Sequence, residues 1–291
     1  MSRVMALAAD HDGLAGQYDF HCHSSASDGA LSPTALVERA AARGVRVLAL
    51  TDHDSLAGLP AAAARAAELG IELVNGIELS VTWGNRELHL VGLGFDRDSD
   101  AITRLVGEQQ AARETRARRM GERLDRAADM VNCYDKAVEL SGQAAPGRPW
   151  FARVLLAEGR VRSLQHAFNR FLKPGQSAFV RTPWATLETA VQALHQSGGV
   201  AVLAHPTRYG FTRRKLRTVL ADFVAAGGDA LEVAVPGLNP NQQQLMAECL
   251  RDFPLLASGG SDFHSPEQAW LDLGRVPAMP AQARAIWQGP A

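Results

Sequence analysis

The sequence predicts an α/β fold, a β/α barrel that is interrupted by a helical cap insertion. Short apolar, strand-like runs alternate with helical segments of about 10–15 residues, which is typical of parallel βα units. This alternation stops after Asp96 and resumes at Gly199. We therefore expect an N-terminal extension at 1–17, barrel segments at 18–97 and 199–291, and a helical cap at 98–198.

The first half of the barrel has clear element boundaries, and its first strand is predicted at 18–23. Ser32 followed by Pro33 is typical of a helix start, because serine caps the first turn and proline suits its first position. This helix should end at Gly44. The run 45–50 is apolar throughout, which is typical of a strand buried on both faces. The other elements predicted in this half are a helix at 59–69 and strands at 71–75 and 87–95.

The middle of the chain has a different character. Residues 98–198 contain almost no β-branched runs, and arginine-rich helices are predicted there at 101–130, 150–158 and 164–172. The β/α alternation then returns, with strands at 199–204, 230–234 and 255–258 and helices at 213–226 and 242–252.

The formal net charge of −1 conceals an asymmetry along the chain. Residues 100–220 contain 20 Lys+Arg and 10 Asp+Glu, whereas the rest contains 10 Lys+Arg and 21 Asp+Glu. The acidic remainder suits a site for divalent cations, and the basic middle suits a surface that receives a polyanion. Arginine-rich helices that are simply solvated explain the basic middle equally well.

Composition also indicates the cellular compartment in which the protein works. The chain is 46% hydrophobic but has no apolar run of about 18 residues, so we expect no membrane span. Residues 1–17 lack the layout of a signal peptide and are expected to be poorly ordered. The three cysteines are scattered, which argues against a disulfide framework and predicts a cytoplasmic protein.

Histidines and acidic residues stand at the ends of the predicted strands. His21 and His23 point to one face of the first strand and Cys22 to the other, because side chains alternate along a strand. Strand ends converge on one mouth of a β/α barrel, so distant residues can meet there. The candidate metal ligands are His21, His23, Asp28, His53, Glu78, His89, His205, Asp262 and His264.

This set is larger than one ion requires, since metal sites in proteins usually take about four to six ligands. We therefore expect two or three divalent ions, with Mn²⁺ favoured by the mixture of imidazole and carboxylate and Zn²⁺, Fe²⁺ or Mg²⁺ as alternatives. Such a cluster activates a water for attack on phosphorus and binds the attacking and leaving oxygens of a phosphate ester. Asp52 is interpreted as support for His53, and Asp54 as either such support or a loop cap.

The segments HCHSSASDG, TDHD, GIELS, HLVG, AHP and GSDFH resemble the PHP (polymerase and histidinol phosphatase) family over residues 18–96 and 199–265. The resemblance implies a distorted seven-stranded β/α barrel, similar to a TIM barrel, that holds three metals. The most similar group carries a helical insertion between the fourth and fifth strands. It contains nucleoside 3′,5′-bisphosphate phosphatases and RNase AM-like 5′→3′ exonucleases of short RNA.

The resemblance also implies roles for individual residues. His21, His23, Glu78 and Asp262 would hold the first metal. Glu78 would bridge to a second metal, completed by His89 and His205. Asp28, His53 and His264 would hold the third, with Asp262 as a shared ligand. Arg148 and Arg208 would bind substrate phosphate, and Glu78, Asp262 and His264 are predicted as catalytic residues.

Two positions depart from the pattern of that group. Trp150 stands where the group has histidine, and Gln176 stands where it has lysine. We expect weaker binding or a changed substrate preference, with Lys173 as an open candidate for compensation. Trp150 is interpreted as a core residue of the cap in preference to a residue that stacks on a base.

The sequence therefore predicts a metal-dependent phosphoesterase that acts on a nucleotide or short-RNA substrate. It would remove the 3′-phosphate of nucleoside 3′,5′-bisphosphates, with trimming of 5′-phosphorylated oligoribonucleotides as a further activity. The alternatives are a phosphatase of a small non-nucleotide ester such as histidinol phosphate, or a non-catalytic metal- or nucleotide-binding module. Neither a membrane nor a stable protein partner is implied.

Overall fold

The computed structural model describes residues 17–268 and 270–288, so the predicted extension falls almost wholly outside the described residues. The chain forms two compact units, and the helical one comprises Gly107–Trp184. This unit is shorter at both ends than the predicted cap at 98–198. Residues 98–106 and 185–198 belong instead to the unit that contains the sheet.

Within the described residues, the sheet unit is built on eight strands, seven of which follow one path. The strands are β1 (Tyr18–Asp19), β2 (Val47–Leu50), β3 (Glu72–Trp83), β4 (Arg86–Leu93), β5 (Ala185–Thr186), β6 (Val200–Leu203), β7 (Ala230–Ala234) and β8 (Leu256–Gly259). The path is β1-β2-β3-β4-β6-β7-β8, and β5 pairs with β3 beside it.

Strand β4 departs from the parallel pairing that the sequence predicts, because it runs antiparallel to both β3 and β6. The predicted strand at 71–75 is also too short, since β3 continues to Trp83. Only Gly84 and Asn85 separate β3 from β4, and Gly84 has φ +56°. A two-residue loop with such a glycine is typical of a tight hairpin, which explains the antiparallel pairing.

Hydrogen bonds at and beyond the ends of β1 and β8 close the seven-stranded path into a barrel. The Phe20 amide donates to the Gly259 carbonyl at 3.3 Å, and the His23 amide donates to the Phe263 carbonyl at 2.9 Å. The Asp262 amide donates to the His21 carbonyl at 2.7 Å. The first and last strands therefore meet along the segments that carry the predicted ligands, and the predicted distorted seven-stranded barrel is confirmed.

Helices of the sheet unit cover the outside of the barrel. They are α1 (Pro33–Ala42), α2 (Leu59–Leu69), the start of α3 (Asp100–Ala127), α7 (Leu187–Gln196), α8 (Arg213–Ala225) and α9 (Pro240–Asp252). The Ser32 hydroxyl accepts from the Ala35 amide, which confirms the predicted cap of α1. On β2, Val47 and Ala49 pack in the barrel interior while Leu48 and Leu50 pack against helices, so both faces are buried as predicted.

The helical unit has its own apolar core. It contains the rest of α3 with α4 (Cys133–Ser141), α5 (Arg148–Ala157), α6 (Leu164–Ala167) and a π-helical turn at Phe168–Leu172. Met120, Leu124 and Phe151 are among the residues buried in this core. Trp150 is also buried, with the Arg153 guanidinium 4.3 Å from its ring centre, which agrees with its interpretation as a packing residue. Among the described residues, no helix is both long and apolar enough to cross a membrane.

Replacing Gly260 by alanine tests the closure of the barrel. An added Cβ would lie 2.6 Å from the His21 backbone nitrogen, so we expect a destabilisation of about 2 kcal/mol or more from overpacking. Gly107→Ala is the matched control, because a Cβ there meets no atom and alanine favours the helix by about 0.5–1 kcal/mol. Urea unfolding measures both variants. Equal stability of Gly260→Ala and the wild type would contradict this packing.

Candidate metal centre

The segment that follows β1 brings two histidines to the mouth of the barrel. The imidazole centres of His21 and His23 lie 5.2 Å apart, whereas the thiol of Cys22 turns away and donates to the Ala49 carbonyl at 3.2 Å. This placement confirms the predicted alternation. The Asp19 carboxylate fixes the segment, because it accepts from the amides of Ser261 at 2.8 Å and Gly274 at 3.0 Å.

The loop that leads to Asp28 is held by Asp52. The Asp52 carboxylate accepts from the Ser24 amide at 2.8 Å, the Ser24 hydroxyl at 2.7 Å and the Ser27 hydroxyl at 2.6 Å. These bonds are to the loop and not to His53, so the interpretation of Asp52 as support for His53 is wrong. Asp54 accepts from the Ser80 amide at 2.7 Å and thereby ties its loop to β3.

Glu78 and His89 lie within strands and not at strand ends, which corrects the predicted placement. Glu78 is in the middle of β3, opposite Val91 of β4. His89 is in the first half of β4, and the antiparallel direction of β4 brings that half to the same mouth. The antiparallel hairpin therefore brings two candidate ligands, Glu78 and His89, to the mouth from positions inside its strands.

All nine predicted ligands gather in overlapping groups whose donor atoms lie within 4.8 Å of one another. The groups are His23, Asp28, His53 and His264; His21, His23 and Asp262; His21, Glu78 and His205; and His53, Glu78 and His89. The sharing of residues between groups is what a cluster of neighbouring cations requires. The predicted convergence at a single mouth is therefore present.

Four donor atoms form a cage of the size that one metal ion needs. The Nε2 atom of His21 lies 3.4 Å from Glu78 Oε2 and 3.5 Å from Asp262 Oδ1. The Nε2 atom of His23 lies 3.2 Å from each of the same two oxygens. Ligands about 2.0–2.1 Å from a tetrahedral ion are separated by roughly 3.3 Å, which matches these four edges.

The two oxygens of Glu78 face different sets of histidines. Oε2 faces His21 and His23, as described above, whereas Oε1 lies 2.8 Å from His89 Nδ1 and 2.9 Å from His205 Nε2. Oε2 also lies 3.0 Å from His53 Nδ1. A carboxylate in this position can contact two cations at once.

A further donor group surrounds Asp28. Its Oδ1 lies 3.4 Å from His264 Nε2, and its Oδ2 lies 3.8 Å from His53 Nε2. The other ring nitrogen of His264 is 2.9 Å from the Asp262 carbonyl oxygen, to which it donates. This hydrogen bond leaves Nε2 unprotonated and available as a ligand in the neutral imidazole.

The donors fit divalent cations, because several are buried with no hydrogen-bond partner among the described residues. These atoms are His21 Nε2, His23 Nδ1 and Nε2, Asp28 Oδ1 and His53 Nδ1. Buried polar atoms without partners are costly, and a cation would satisfy them. Burial alone would raise the pKa of Glu78, but neighbouring histidines, His53 foremost, hold that pKa well below its usual value. The carboxylate therefore stays ionised for a cation.

Among the described residues, three of the five non-glycine residues with positive φ lie at the mouth of the barrel. Asp54, His205 and Asp262 have φ values of +47°, +29° and +55°, although none is glycine. Such conformations persist only where the surroundings enforce them, and they are typical of functional sites. They lie in the segments that follow β2, β6 and β8. His205 and Asp262 are candidate ligands, whereas the Asp54 carboxylate accepts from the Ser80 amide.

Sequence reasoning missed Glu232, which supports two of the histidines. Its Oε1 lies 2.8 Å from His21 Nδ1, and its Oε2 accepts from the His205 amide at 2.6 Å. This contact directs the other ring nitrogen of His21 into the cage. The available signal was the glutamate itself, in the otherwise apolar and wholly buried strand β7, since buried carboxylates are rare without partners.

The two predicted phosphate-binding arginines lie in different units. Arg208 is about half exposed, and its guanidinium forms an ion pair with the Asp262 carboxylate. Next to it, the Tyr209 hydroxyl accepts from the His89 amide at 2.9 Å and its ring lies 5.4 Å from that of His205. Arg148 begins α5 of the helical unit.

A barrel that gathers six histidines and three carboxylates around overlapping cation-sized cages defines a metal-dependent hydrolase. The family model for the PHP domain matches residues 19–145. A 5′-3′ exoribonuclease of Haemophilus influenzae is 44% identical, over 94% of this chain and 98% of the relative. The chain therefore belongs to the PHP family and is a metal-dependent phosphoesterase.

Two further relatives agree with that assignment. A 3′,5′-nucleoside bisphosphate phosphatase of Chromobacterium violaceum is 41% identical, over 93% of this chain and 95% of the relative. A solved structure of an amidohydrolase from the same organism, with bound sulfate and no metal, superposes with a TM-score of 0.88 at 41% identity. It covers 94% of this chain and 95% of its own.

Replacing Glu232 by glutamine tests its support of the histidines. We expect divalent-metal affinity to fall by about 10–100-fold, because the amide cannot accept from both His21 and the His205 backbone. Glu248→Gln is the control, since that carboxylate pairs with Arg213 on a partly exposed helix. Competition with a metal chelator measures the affinity. Unchanged affinity in Glu232→Gln would remove Glu232 from the site.

Proposed function

We propose that this chain hydrolyses the 3′-phosphate of nucleoside 3′,5′-bisphosphates and trims short 5′-phosphorylated oligoribonucleotides from the 5′ end, with Mn²⁺ as the working ion. The observation that carries the proposal is the Glu78 carboxylate, whose two oxygens face separate histidine sets. Relatives that span almost this whole chain carry both activities in their names, which supports both substrates.

The donor geometry supports three metal positions. His21, His23, Glu78 and Asp262 would hold the first ion, in the cage whose edges are 3.2–3.5 Å. Glu78 Oε1 with His89 and His205 would hold the second. Asp28, His53 and His264 would hold the third.

When bound, divalent ions lower the pKa of a water and offset the negative charge of the phosphate oxygens. The residues of the chain position the reactants around them. Glu78 and Asp262 keep ionised carboxylates at the centre of the mouth, and Glu232 directs His21 toward them. His264, oriented by its bond to the Asp262 carbonyl, completes the proposed catalytic residues.

Two arginines are proposed to bind the substrate phosphates. The role of Arg208 is supported by its position, because it pairs with Asp262 while its guanidinium stays partly exposed. The planar fork of a guanidinium suits a phosphate. The phosphate-binding role of Arg148 is supported by the family motif alone.

The alternatives have less support. A small ester such as histidinol phosphate would not need the helical unit at Gly107–Trp184, which we propose as a substrate-binding cap. A non-catalytic module is disfavoured because none of the nine ligand positions has lost its donor. The three cysteines are all free, which supports the proposal of a cytoplasmic protein.

Replacing Asp262 by asparagine tests the metal assignment together with the activity. We expect loss of bound metal and a fall in kcat of more than about 100-fold, because the first cage loses an anionic ligand. Asp252→Asn, which removes a surface carboxylate paired with Arg217, should behave like wild type. Elemental analysis and phosphate release from a nucleoside 3′,5′-bisphosphate with Mn²⁺ measure the two effects. Retention of full metal content would contradict the assignment.

The same assay tests the substrate. Wild-type protein should release phosphate from the bisphosphate and mononucleotides from 5′-phosphorylated short RNA, and a chelator should abolish both until Mn²⁺ is restored. Release of neither product by the metal-loaded protein would defeat the proposed substrates.

Replacing Arg208 by alanine tests its role in binding. We expect KM for the bisphosphate to rise about tenfold or more, since a charged hydrogen bond contributes about 1.5–3 kcal/mol. Metal content should stay at the wild-type level, and Arg208→Lys should recover part of the loss. Arg214→Ala removes a similar exposed charge from α8 and serves as the control. An unchanged KM would exclude Arg208 from substrate binding.

A further inference from the structure

We propose that the helical unit carries a second anion-binding site, a pocket that holds a backbone phosphate of single-stranded RNA. The pocket has a volume of about 300 Å³ and lies between α3 and the segment 180–183. It is lined by nine residues, which include Arg116, Arg119, Arg181 and Thr182. This inference rests on the proposed function for the identity of the RNA.

The charge of the pocket points to an anion. Three of its nine lining residues are arginines and none is acidic. Neither Arg119 nor Arg181 forms an ion pair with a residue that the structure describes, and both are exposed. Their positive charge is therefore available to a ligand, unlike that of Arg118, which pairs with Glu114 at 2.7 Å.

An unsatisfied hydroxyl also points to a ligand. Thr182 lines the pocket and is only 7% exposed, and its Oγ1 atom is buried without a hydrogen-bond partner within the described part of the chain. A buried hydroxyl without a partner is costly. A phosphate oxygen in the pocket would accept its hydrogen bond and relieve that cost.

The walls of the pocket are held in place before any ligand binds. The Arg116 guanidinium packs 4.9 Å from the ring centre of Trp184, and Arg116 is only 5% exposed. The Arg123 guanidinium donates to the Phe179 carbonyl, which fixes the start of the segment 180–183 beside α3. A pre-organised pocket binds more strongly because little side-chain freedom remains to be lost.

The unit as a whole suits a polyanion better than a single small anion. Residues 107–184 contain 14 Lys+Arg and 8 Asp+Glu, whereas the rest of the chain contains 16 Lys+Arg and 23 Asp+Glu. The apolar Ala111, Val180 and Pro183 beside the arginines offer a surface for a ribose. Single-stranded RNA presents both a chain of phosphates and such apolar faces.

Binding of an oligonucleotide tests the site without any chemical step. The probe is a fluorescent, 5′-phosphorylated oligouridylate of about eight nucleotides, measured by anisotropy in a chelator so that hydrolysis does not occur. We expect Arg119→Ala and Arg181→Ala each to weaken binding about three- to tenfold and to reduce the salt slope by about 0.7. Thr182→Val should weaken binding by a smaller factor.

Arg162→Ala is the matched control, because it removes an exposed arginine from the same unit outside the pocket. It should bind the oligonucleotide like wild type. If the three pocket variants bind the oligonucleotide as tightly as the control and the wild type do, the proposal is wrong. It is also wrong if the wild-type protein fails to bind the probe. Thermal unfolding of each variant separates loss of the site from loss of the fold.

One further measurement, the kinetics of bisphosphate hydrolysis by the same variants, identifies the source of the phosphate. If the pocket binds an RNA backbone, hydrolysis of the nucleoside 3′,5′-bisphosphate should be unchanged in Arg119→Ala and Arg181→Ala. If KM for the bisphosphate rises instead while oligonucleotide binding holds, the pocket takes a free phosphomonoester and the RNA proposal is wrong. Failure of the wild type to hydrolyse the bisphosphate would defeat the proposed function alone, because the binding assay requires no turnover.

Discussion

The barrel is organised around one buried carboxylate, that of Glu78. It is 1% exposed, and the ring nitrogens of His21, His23, His53, His89 and His205 all lie within 3.4 Å of one of its oxygens. A buried anion is tolerated only where opposite charge or hydrogen bonds compensate it. The surrounding chain therefore has to deliver donors from four separate segments to the middle of β3.

The need to compensate the buried Glu78 carboxylate explains several features of the fold that packing alone does not explain. The β3–β4 hairpin is antiparallel, and this places both Glu78 and His89 at the mouth of the barrel. Closure between the first and last strands brings His21 and His23 beside Asp262. Three non-glycine residues at the mouth adopt positive φ, and buried carboxylates of Asp19, Asp52 and Glu232 hold the surrounding segments. The stability of the barrel thus supports a strained and highly charged opening.

Much of this site could be predicted from sequence, because each donor belongs to a short local pattern. His21 and His23 share a strand face, and the acids follow apolar runs, so alternation and strand direction place them. Glu232 could not be placed, since it stands alone in β7 and its partners His21 and His205 are far away in the chain. The true partner of Asp52 also depends on a contact between distant segments. The direction of β4, in contrast, follows from the local two-residue loop that joins it to β3.

Anomalous X-ray diffraction from crystals loaded with Mn²⁺ tests this account most directly. We expect one metal peak bounded by His21, His23, Asp262 and one oxygen of Glu78, and a second peak on the other oxygen beside His89 and His205. Glu78 would then contact two ions. Peaks that leave the Glu78 carboxylate with a single ion or none, or that lie away from these histidines, would contradict the central claim.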